Sequence, residues 1–377
     1  MEKYKNISYF EGLDTLRFFA AFLVLMHHAE VIRQKNNLFN LEWLGLFRNG
    51  GNAVSFFFVL SGFLITYLLL KENYKTKTIS IKKFYLKRVL RIWPLYYLLV
   101  IIGTIIVPLC FNMFHIDYEM PYTLGDTWYY FVFFVPGLVT FFYGHHLLEP
   151  LWSIGVEEVF YLIWAPLFKF LKRYILYILL GIITLKYALI IINYYCINNN
   201  LVGYLINTFS FEAMAIGGLG AYFVFNSKKD ISNIVIYNKV IQVIVYSLLA
   251  VFLLFHANIN NPVWMAIFKT PVISSILINF LFLYTIIGVS LVKQSILKPR
   301  NKILSFFGEI SYGIYMYHML VIFTIILFCK GFLAQLNPVL ATVIFYCLAT
   351  AGTILVSYLS KRFFEDPFLR IKERIAS

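Results

Sequence analysis

The feature that most constrains the fold is a succession of apolar runs, each close to the roughly 20 residues that an α-helix needs to cross a bilayer. The composition agrees, because 61% of the residues are hydrophobic and only 13% are charged, unlike a soluble domain. We therefore expect an all-α, polytopic membrane helix bundle. Its ten predicted spans lie near 13–31, 53–70, 92–110, 151–168, 174–195, 201–225, 240–256, 271–292, 303–328 and 338–359.

A further apolar run, residues 128–143, is shorter and is interrupted by Pro136 and Gly137. This pattern favours a re-entrant or interfacial segment over a crossing. Both termini are then predicted to be cytoplasmic, because the basic stretches all fall on one side and the positive-inside rule makes that side cytoplasmic. An eleventh crossing would invert every assignment after Glu149. The basic stretches are 71–91, 169–173, 228–239, 293–302 and 361–374.

Charge and cysteine content exclude several other classes. The net charge of +14 is explained by this topology and by attraction to anionic lipid, so nucleic acid is not an expected partner. The four cysteines form no CxxC pair, which argues against a zinc site or a disulfide framework. Charges inside the first apolar run favour a retained helix over a cleaved signal peptide. We expect a single membrane domain over residues 1–377.

Ionisable residues within the first span point to a functional site, because such residues are costly in a membrane. On a helix, Arg17 and His28 project within roughly 20° of each other, about 16 Å apart along the axis. Asp14 precedes Arg17 by three residues and can pair with it. His27 lies roughly 80° away from this line. The geometry therefore favours His28 as the functional histidine.

A second cluster, Lys87, Arg88 and Arg91, lies at the predicted cytoplasmic entrance of the third span. Arginine forks bind phosphate oxygens in pairs, so this cluster suits a nucleotide-bearing donor. Basic residues at this membrane edge also serve as topology anchors and lipid contacts. Both interpretations remain open from the sequence.

The fourth predicted span carries Ser153, Glu157 and Tyr161 at four-residue steps, which form a polar stripe on one face. Glu158 points roughly 100° away from Glu157. Either carboxylate could be catalytic, or could pair with an arginine and lock two helices together.

Two histidine-containing segments complete the candidates. Ser311, Tyr315 and His318 share one helix face, although a lone histidine there could equally be a core residue. His145, His146 and Glu149 resemble metal ligands only weakly, and we expect no metal site.

Taken in order, six motifs resemble the acyltransferase 3 family of multi-pass bacterial inner-membrane O-acyltransferases, and the resemblance covers nearly the whole chain. Trp93, Val159 and Pro150 depart from common family residues, which puts roles at those positions in doubt. The motifs are 13–17 with His28, 55–65, Arg88 with 91–94, 151–161, 311–318 and 362–367.

The resemblance implies transfer of an acyl group, most often acetyl from acetyl-CoA, to a hydroxyl of a carbohydrate-containing acceptor such as a cell-surface or exported glycan. It ties activity most closely to Arg17 and His28. Family members with a fused extracytoplasmic hydrolase-like domain complete the transfer there. In this chain we expect the acceptor to meet the membrane domain or a separate glycan-assembly protein. Residues expected to support substrate or structure are Asp14, Ser61, Trp152, Ser153, Tyr315, His318 and Glu365.

Attack of a hydroxyl on a thioester needs a base and a group that stabilises the oxyanion. We expect His28 to be the base, Arg17 to orient the donor or stabilise charge, and Arg88 with Arg91 to hold the phosphates of coenzyme A. Glu157 or Glu158 would orient His28 or Arg17. The pantetheine arm could thread into the bundle, or a covalent acyl-enzyme could form.

Two other classes remain. In a transporter or flippase, the intramembrane Arg, His and Glu residues would form an ion or substrate path, but the sequence lacks the inverted repeats that favour this class. A helper subunit of a glycan-assembly complex that has lost its chemistry is a third possibility, made less attractive by intact Arg17 and His28.

Overall fold

The computed structural model describes residues 3–116, 118, 120–256, 271–299 and 301–376, and these residues form helices and connecting turns without strands. The α-helices are α1 (Leu13–Lys35), α2 (Gly50–Thr76), α3 (Ile81–Ile101), α4 (Val107–Met113), α5 (Leu124–Val132), α6 (Gly137–Tyr143), α7 (Leu151–Leu171), α8 (Ile175–Ile192), α9 (Asn200–Thr208), α10 (Phe211–Asn226), α11 (Lys239–Phe255), α12 (Pro271–Leu291), α13 (Lys302–Glu309), α14 (Ser311–Gln335), α15 (Pro338–Ser360) and α16 (Asp366–Ala376).

The predicted class is confirmed, because the described residues include eight helices, or helices joined end to end, that are long and apolar enough to cross a membrane. The chain is therefore a multi-pass membrane protein. Two predicted spans are divided: 201–225 becomes α9 and α10, and 303–328 becomes α13 and most of α14. Helix α11 is shorter than the other candidates. The count of ten and the cytoplasmic termini stay predictions.

The interrupted run 128–143 falls on α5 and α6, which have nine and seven residues. The chain turns between them at Phe134, which has a positive φ of 57°. The ring of Phe134 stacks on Tyr96 of α3 at a centroid distance of 4.6 Å. At about 1.5 Å per residue neither helix approaches the roughly 30 Å of the hydrocarbon core. This geometry fits the re-entrant or interfacial segment expected from the sequence.

Helix α2 packs unusually closely against α10, and glycines on both helices permit it. A Cβ atom on Gly62 would collide with the backbone carbonyl of Met214, and one on Gly217 would collide with that of Val59. Small residues let two helix backbones approach within a membrane, where close packing substitutes for the hydrophobic effect. The Ser61-Gly62 step thus has a packing role, and it fixes Ser61 beside the centre of the bundle.

A buried polar cluster joins α1 to α15 at the end of α1 that is predicted to lie outside. Glu30 and Arg33 are 0% and 2% exposed in their side chains and form an ion pair of 2.9 Å. The hydroxyl of Tyr346 donates to Glu30 at 2.6 Å, and Arg33 donates to Thr342 at 2.6 Å. Each buried charge therefore has several partners, which fixes the position of α1 beside α15.

Candidate functional site

A cavity of about 300 Å³ lies between α1, α2, α3, α7 and α14 and the segment 7–10 that precedes α1. Along α2 it extends from Phe57 to Leu68, which corresponds to about 17 Å, or half the thickness of a hydrocarbon core. The structure brings together in its wall many of the residues that the sequence singled out. Those residues are Asp14, Arg17, Ser61, Arg88, Arg91, Ser153, Glu157 and Tyr315.

One end of the cavity is rich in arginine. Arg17 forms the ion pair with Asp14 that their spacing predicted. The guanidinium of Arg88 lies over the rings of Phe84 and Tyr161, with its carbon 5.8 Å from each centroid. Its Nε is buried without a hydrogen-bond partner, and within the described residues neither Arg88 nor Arg91 forms an ion pair. This end therefore holds two cations, Arg88 and Arg91, that form no ion pair with a carboxylate in the part of the chain that the structure describes.

Tyr9 adds a group to this end that sequence reasoning missed. Its hydroxyl donates to Asp14 at 2.5 Å. This hydrogen bond to a carboxylate, aided by partial burial, raises the pKa of Tyr9 to about 12. Tyr9 therefore stays neutral and holds Asp14 from the side opposite Arg17. Little in the sequence signals this role, because Tyr9 precedes the first helix and resembles part of a flexible terminus.

The two adjacent carboxylates of α7 have different partners. Tyr161 donates to Glu157 at 3.1 Å and also bonds the hydroxyl of Ser61. Trp93 Nε1 donates to Glu158 at 2.9 Å, while the second oxygen of Glu158 is buried without a partner. Among the described residues neither carboxylate bonds His28 or Arg17, and the orienting role expected of Glu157 or Glu158 stays a prediction. Glu158 also lies outside the cavity wall.

The opposite end of the cavity is closed by hydroxyl groups. The hydroxyls of Ser153 on α7 and Tyr315 on α14 lie 2.7 Å apart. The Tyr315 hydroxyl also lies 3.0 Å from the carbonyl oxygen of Pro150, to which it can donate. This hydrogen-bonded triad joins the start of α7 to α14, and it separates the cavity from the residues beyond Tyr315.

His28 and His318 lie beyond this closed end and form a pair. Nε2 of His318 lies 3.0 Å from Nδ1 of His28, and the two rings are 4.9 Å apart between centroids. The ring of His318 is 5.8 Å from that of Tyr315, which lines the cavity. His27 instead bonds the carbonyl oxygen of Phe47 at 3.1 Å. The structure thus separates the two neighbouring histidines as the helix geometry predicted, but it places His28 next to the cavity and not in its wall.

The two remaining predicted residues are peripheral. The ring of Trp152 packs edge-on against Phe58 at a centroid distance of 5.9 Å. Glu365 ends the π-helical segment Lys361–Glu365 that joins α15 to α16, and it accepts a hydrogen bond of 3.0 Å from Ser360. Neither lines the cavity, so their contacts support the surrounding helices.

The loop between α6 and α7 holds His146 in a defined neutral state. Its Nδ1 accepts from the backbone N–H of Leu148 at 3.2 Å, and its Nε2 lies 3.1 Å from the hydroxyl of Thr140. Burial lowers the pKa of His146 to about 3. His145 pairs separately with Glu149 at 2.8 Å. No group of three or more candidate metal ligands occurs in the part of the chain that the structure describes.

Comparison with known proteins decides the family. The family model described as an acyltransferase domain matches residues 10–362. The chain belongs to the acyltransferase 3 family. The chain is 29% identical over 382 residues to a Staphylococcus aureus (strain COL) protein named "Putative O-acetyltransferase". It is 26% identical over 385 residues to the O-acetyltransferase OatA of Staphylococcus aureus (strain NCTC 8325 / PS 47).

Both alignments cover 97% of this acyltransferase 3 chain but only 58% of the relative. The chain therefore spans less than two thirds of the length of these relatives. No solved structure matches it.

Proposed function

We propose that this protein is an O-acyltransferase of the bacterial inner membrane. It would move an acyl group, most often acetyl, from acyl-CoA to a hydroxyl of a carbohydrate-containing acceptor such as a cell-surface or exported glycan. The observation that carries the proposal is one cavity with Arg88 and Arg91, which form no ion pair among the described residues, at one end and a histidine pair just beyond the other. Family membership and relatives named as O-acetyltransferases support the reaction class.

The arginine end suits the phosphates of coenzyme A. The guanidinium carbon of Arg88 lies 5.8 Å from the centroids of two aromatic rings, which offer its N–H groups no oxygen acceptor, and its buried Nε has no hydrogen-bond partner among the described residues, so a phosphate can accept from it. Arg91 lies one helical turn further along α3 and is exposed. A phosphate group bound here would neutralise both cations. The donor would enter from the cytoplasm under the predicted topology.

The remaining length of the cavity suits the pantetheine arm. With the phosphates at Arg88, an extended chain along α2 would bring its thioester toward Ser153 and Tyr315. Their hydroxyls would donate to a developing oxyanion once they leave their bonds to each other and to Pro150. Rotation of the Tyr315 side chain would open the wall toward His28. Donor and acceptor would then meet at this wall, with the donor from one face of the membrane and the acceptor from the other.

The chemistry is acyl transfer with general-base assistance. The acceptor hydroxyl gives its proton to His28 while its oxygen forms a bond to the thioester carbonyl carbon. The carbon–sulfur bond then breaks, and the coenzyme A thiolate takes the proton from His28. One ester and one thiol result, and no other co-reactant is needed.

Radiolabelled acetyl-CoA, supplied to the cytoplasmic face of membranes that contain the protein and a glycan acceptor, tests this proposal. We expect alkali-labile label on the glycan with the unaltered protein and with His27→Ala, and its loss with His28→Ala. His27→Ala is the matched control because His27 also bonds a backbone carbonyl but does not join the histidine pair. Equal label with His28→Ala and with the unaltered protein would refute the role of His28 as the general base. Proton-coupled solute uptake without any acyl transfer would support a transporter instead.

A further inference from the structure

We propose that His318 is a positioning residue that fixes His28 in one tautomer, so that Nε2 of His28 takes the proton of the acceptor hydroxyl. This inference rests on the proposed O-acyl transfer. It adds a specific atom to the reaction and a residue from a second helix, 290 positions away in the sequence.

The tautomer of His318 follows from its backbone partner. The carbonyl oxygen of Tyr315 lies 2.5 Å from Nδ1 of His318. A carbonyl oxygen can only accept, so Nδ1 of His318 must carry a hydrogen and donate it. In the neutral ring Nε2 of His318 then has a free lone pair. His318 therefore presents an acceptor to its neighbour.

The tautomer of His28 follows in turn. Its Nδ1 lies 3.0 Å from the lone pair of His318 Nε2 and 3.1 Å from the carbonyl oxygen of Val24. Both neighbours are acceptors, so Nδ1 of His28 must be the donor. Its proton is shared between them. The proton-accepting nitrogen of neutral His28 is consequently Nε2, which neither bond occupies.

His318 also favours the charged form that appears during the reaction. After His28 takes a proton on Nε2, its Nδ1–H becomes a cationic donor, and hydrogen bonds from ionised donors are stronger than neutral ones. His318 is 0% exposed, so water does not compete for its lone pair. The Val24 carbonyl accepts from within α1 at 3.1 Å, and His318 adds a second acceptor at 3.0 Å from the facing helix. This arrangement resembles the carboxylate that orients a general-base histidine in serine hydrolases.

Two substitutions at His318 separate positioning from packing. His318→Leu removes the acceptor, whereas His318→Gln keeps an amide oxygen close to the position of Nε2. We expect His318→Leu to lower kcat by at least about tenfold, within the roughly 10⁴-fold limit set by loss of such an orienting group. KM for acetyl-CoA should stay within about twofold, since the arginine end is untouched. His318→Gln should recover most of the rate.

The control is Tyr317→Phe, which removes a hydrogen bond to Ser360 from the adjacent position of α14. It should leave kcat unchanged. The ¹⁵N NMR spectrum of histidine-labelled protein reports the tautomer of His28 directly. The signals of His28 are those that are missing from the spectrum of His28→Gln. We expect an unprotonated Nε2 and a protonated Nδ1 on His28, with a larger share of the other tautomer in His318→Leu, where the Val24 carbonyl is the one acceptor left of the two.

Two results would overturn the inference while leaving the proposed function intact. In the first, His28→Ala is inactive but His318→Leu is fully active. In the second, His318→Leu and His318→Gln are equally impaired, and the spectrum of His28 is unchanged. A fully active His28→Ala protein would refute the base itself and this inference with it.

Discussion

Arg88 offers the sharpest test of how the donor binds. The structure fixes its guanidinium over Phe84 and Tyr161 and leaves its buried Nε without a partner. A hydrogen bond from a charged group to a ligand contributes about 1.5–3 kcal/mol. Removing it with Arg88→Gln should therefore raise KM for acetyl-CoA by roughly tenfold to 150-fold, because every 1.4 kcal/mol is tenfold. Arg88→Lys keeps the charge but loses the fork, so its KM should be intermediate.

The assay compares two donors. Initial rates of acyl transfer are measured with acetyl-CoA and with acetyl-pantetheine, which has the same thioester but no phosphates. Arg88→Gln should raise KM for acetyl-CoA alone and leave KM for acetyl-pantetheine unchanged. Lys83→Gln is the matched control, because Lys83 is an exposed cation on the same helix and lies outside the cavity wall. An unchanged KM for acetyl-CoA in Arg88→Gln, or an equal rise for both donors, would refute phosphate binding by Arg88.

Three further predictions concern stability and are measured by thermal unfolding of the purified protein in detergent. Because burial lowers the pKa of His146 from 6.5 to about 3, the folded state binds fewer protons than the unfolded chain in this window. The free energy of unfolding should therefore fall by up to about 1.4 kcal/mol per pH unit below pH 6.5. His146→Gln should make this fall less steep, and parallel pH curves for the variant and the unaltered protein would contradict the prediction. Gly217→Ala forces a Cβ onto the backbone of α2 and should lower the free energy of unfolding by about 1–3 kcal/mol. The control Gly181→Ala meets no atom within 4 Å and should be tolerated. Equal melting temperatures for the two variants would exclude close packing as the reason for glycine at position 217. Glu30→Ala leaves Arg33 buried without its anion and should lower the free energy of unfolding by about 3–5 kcal/mol. A loss below about 1 kcal/mol, which is typical of an exposed ion pair, would refute this prediction.

Local spacing predicted several contacts correctly because it requires only helix geometry. The Asp14–Arg17 ion pair follows from a separation of three residues. The shared helix face of Glu157 and Tyr161, which bond each other in the structure, follows from a separation of four. The difference in direction between His27 and His28 follows in the same way. These contacts lie within one helix, so the fold of the rest of the chain does not alter them.

Contacts between helices were not predictable in the same way. Sequence reasoning expected Glu157 or Glu158 to orient His28 or Arg17, and it did not anticipate that His28 bonds His318 from α14 or that Glu158 bonds Trp93 from α3. Which faces meet depends on the rotation and axial shift of each helix, and neither leaves a mark in the spacing of a single segment. Tyr9 was missed for the same reason, since only packing places the segment before α1 against the cavity.

The sequence by itself determined that this chain is a helical, multi-pass membrane protein, because the length of each apolar run and the cost of unpaired backbone in lipid leave few other folds. It also determined which ionisable residues lie within the helices. The tertiary structure alone decided that the buried Nε of Arg88 has no hydrogen-bond partner among the described residues, that Ser153 and Tyr315 close the cavity, and that His318 faces His28. The physical reason is that these arrangements depend on how helices far apart in sequence pack, and close approaches such as Gly62 against Met214 set that packing.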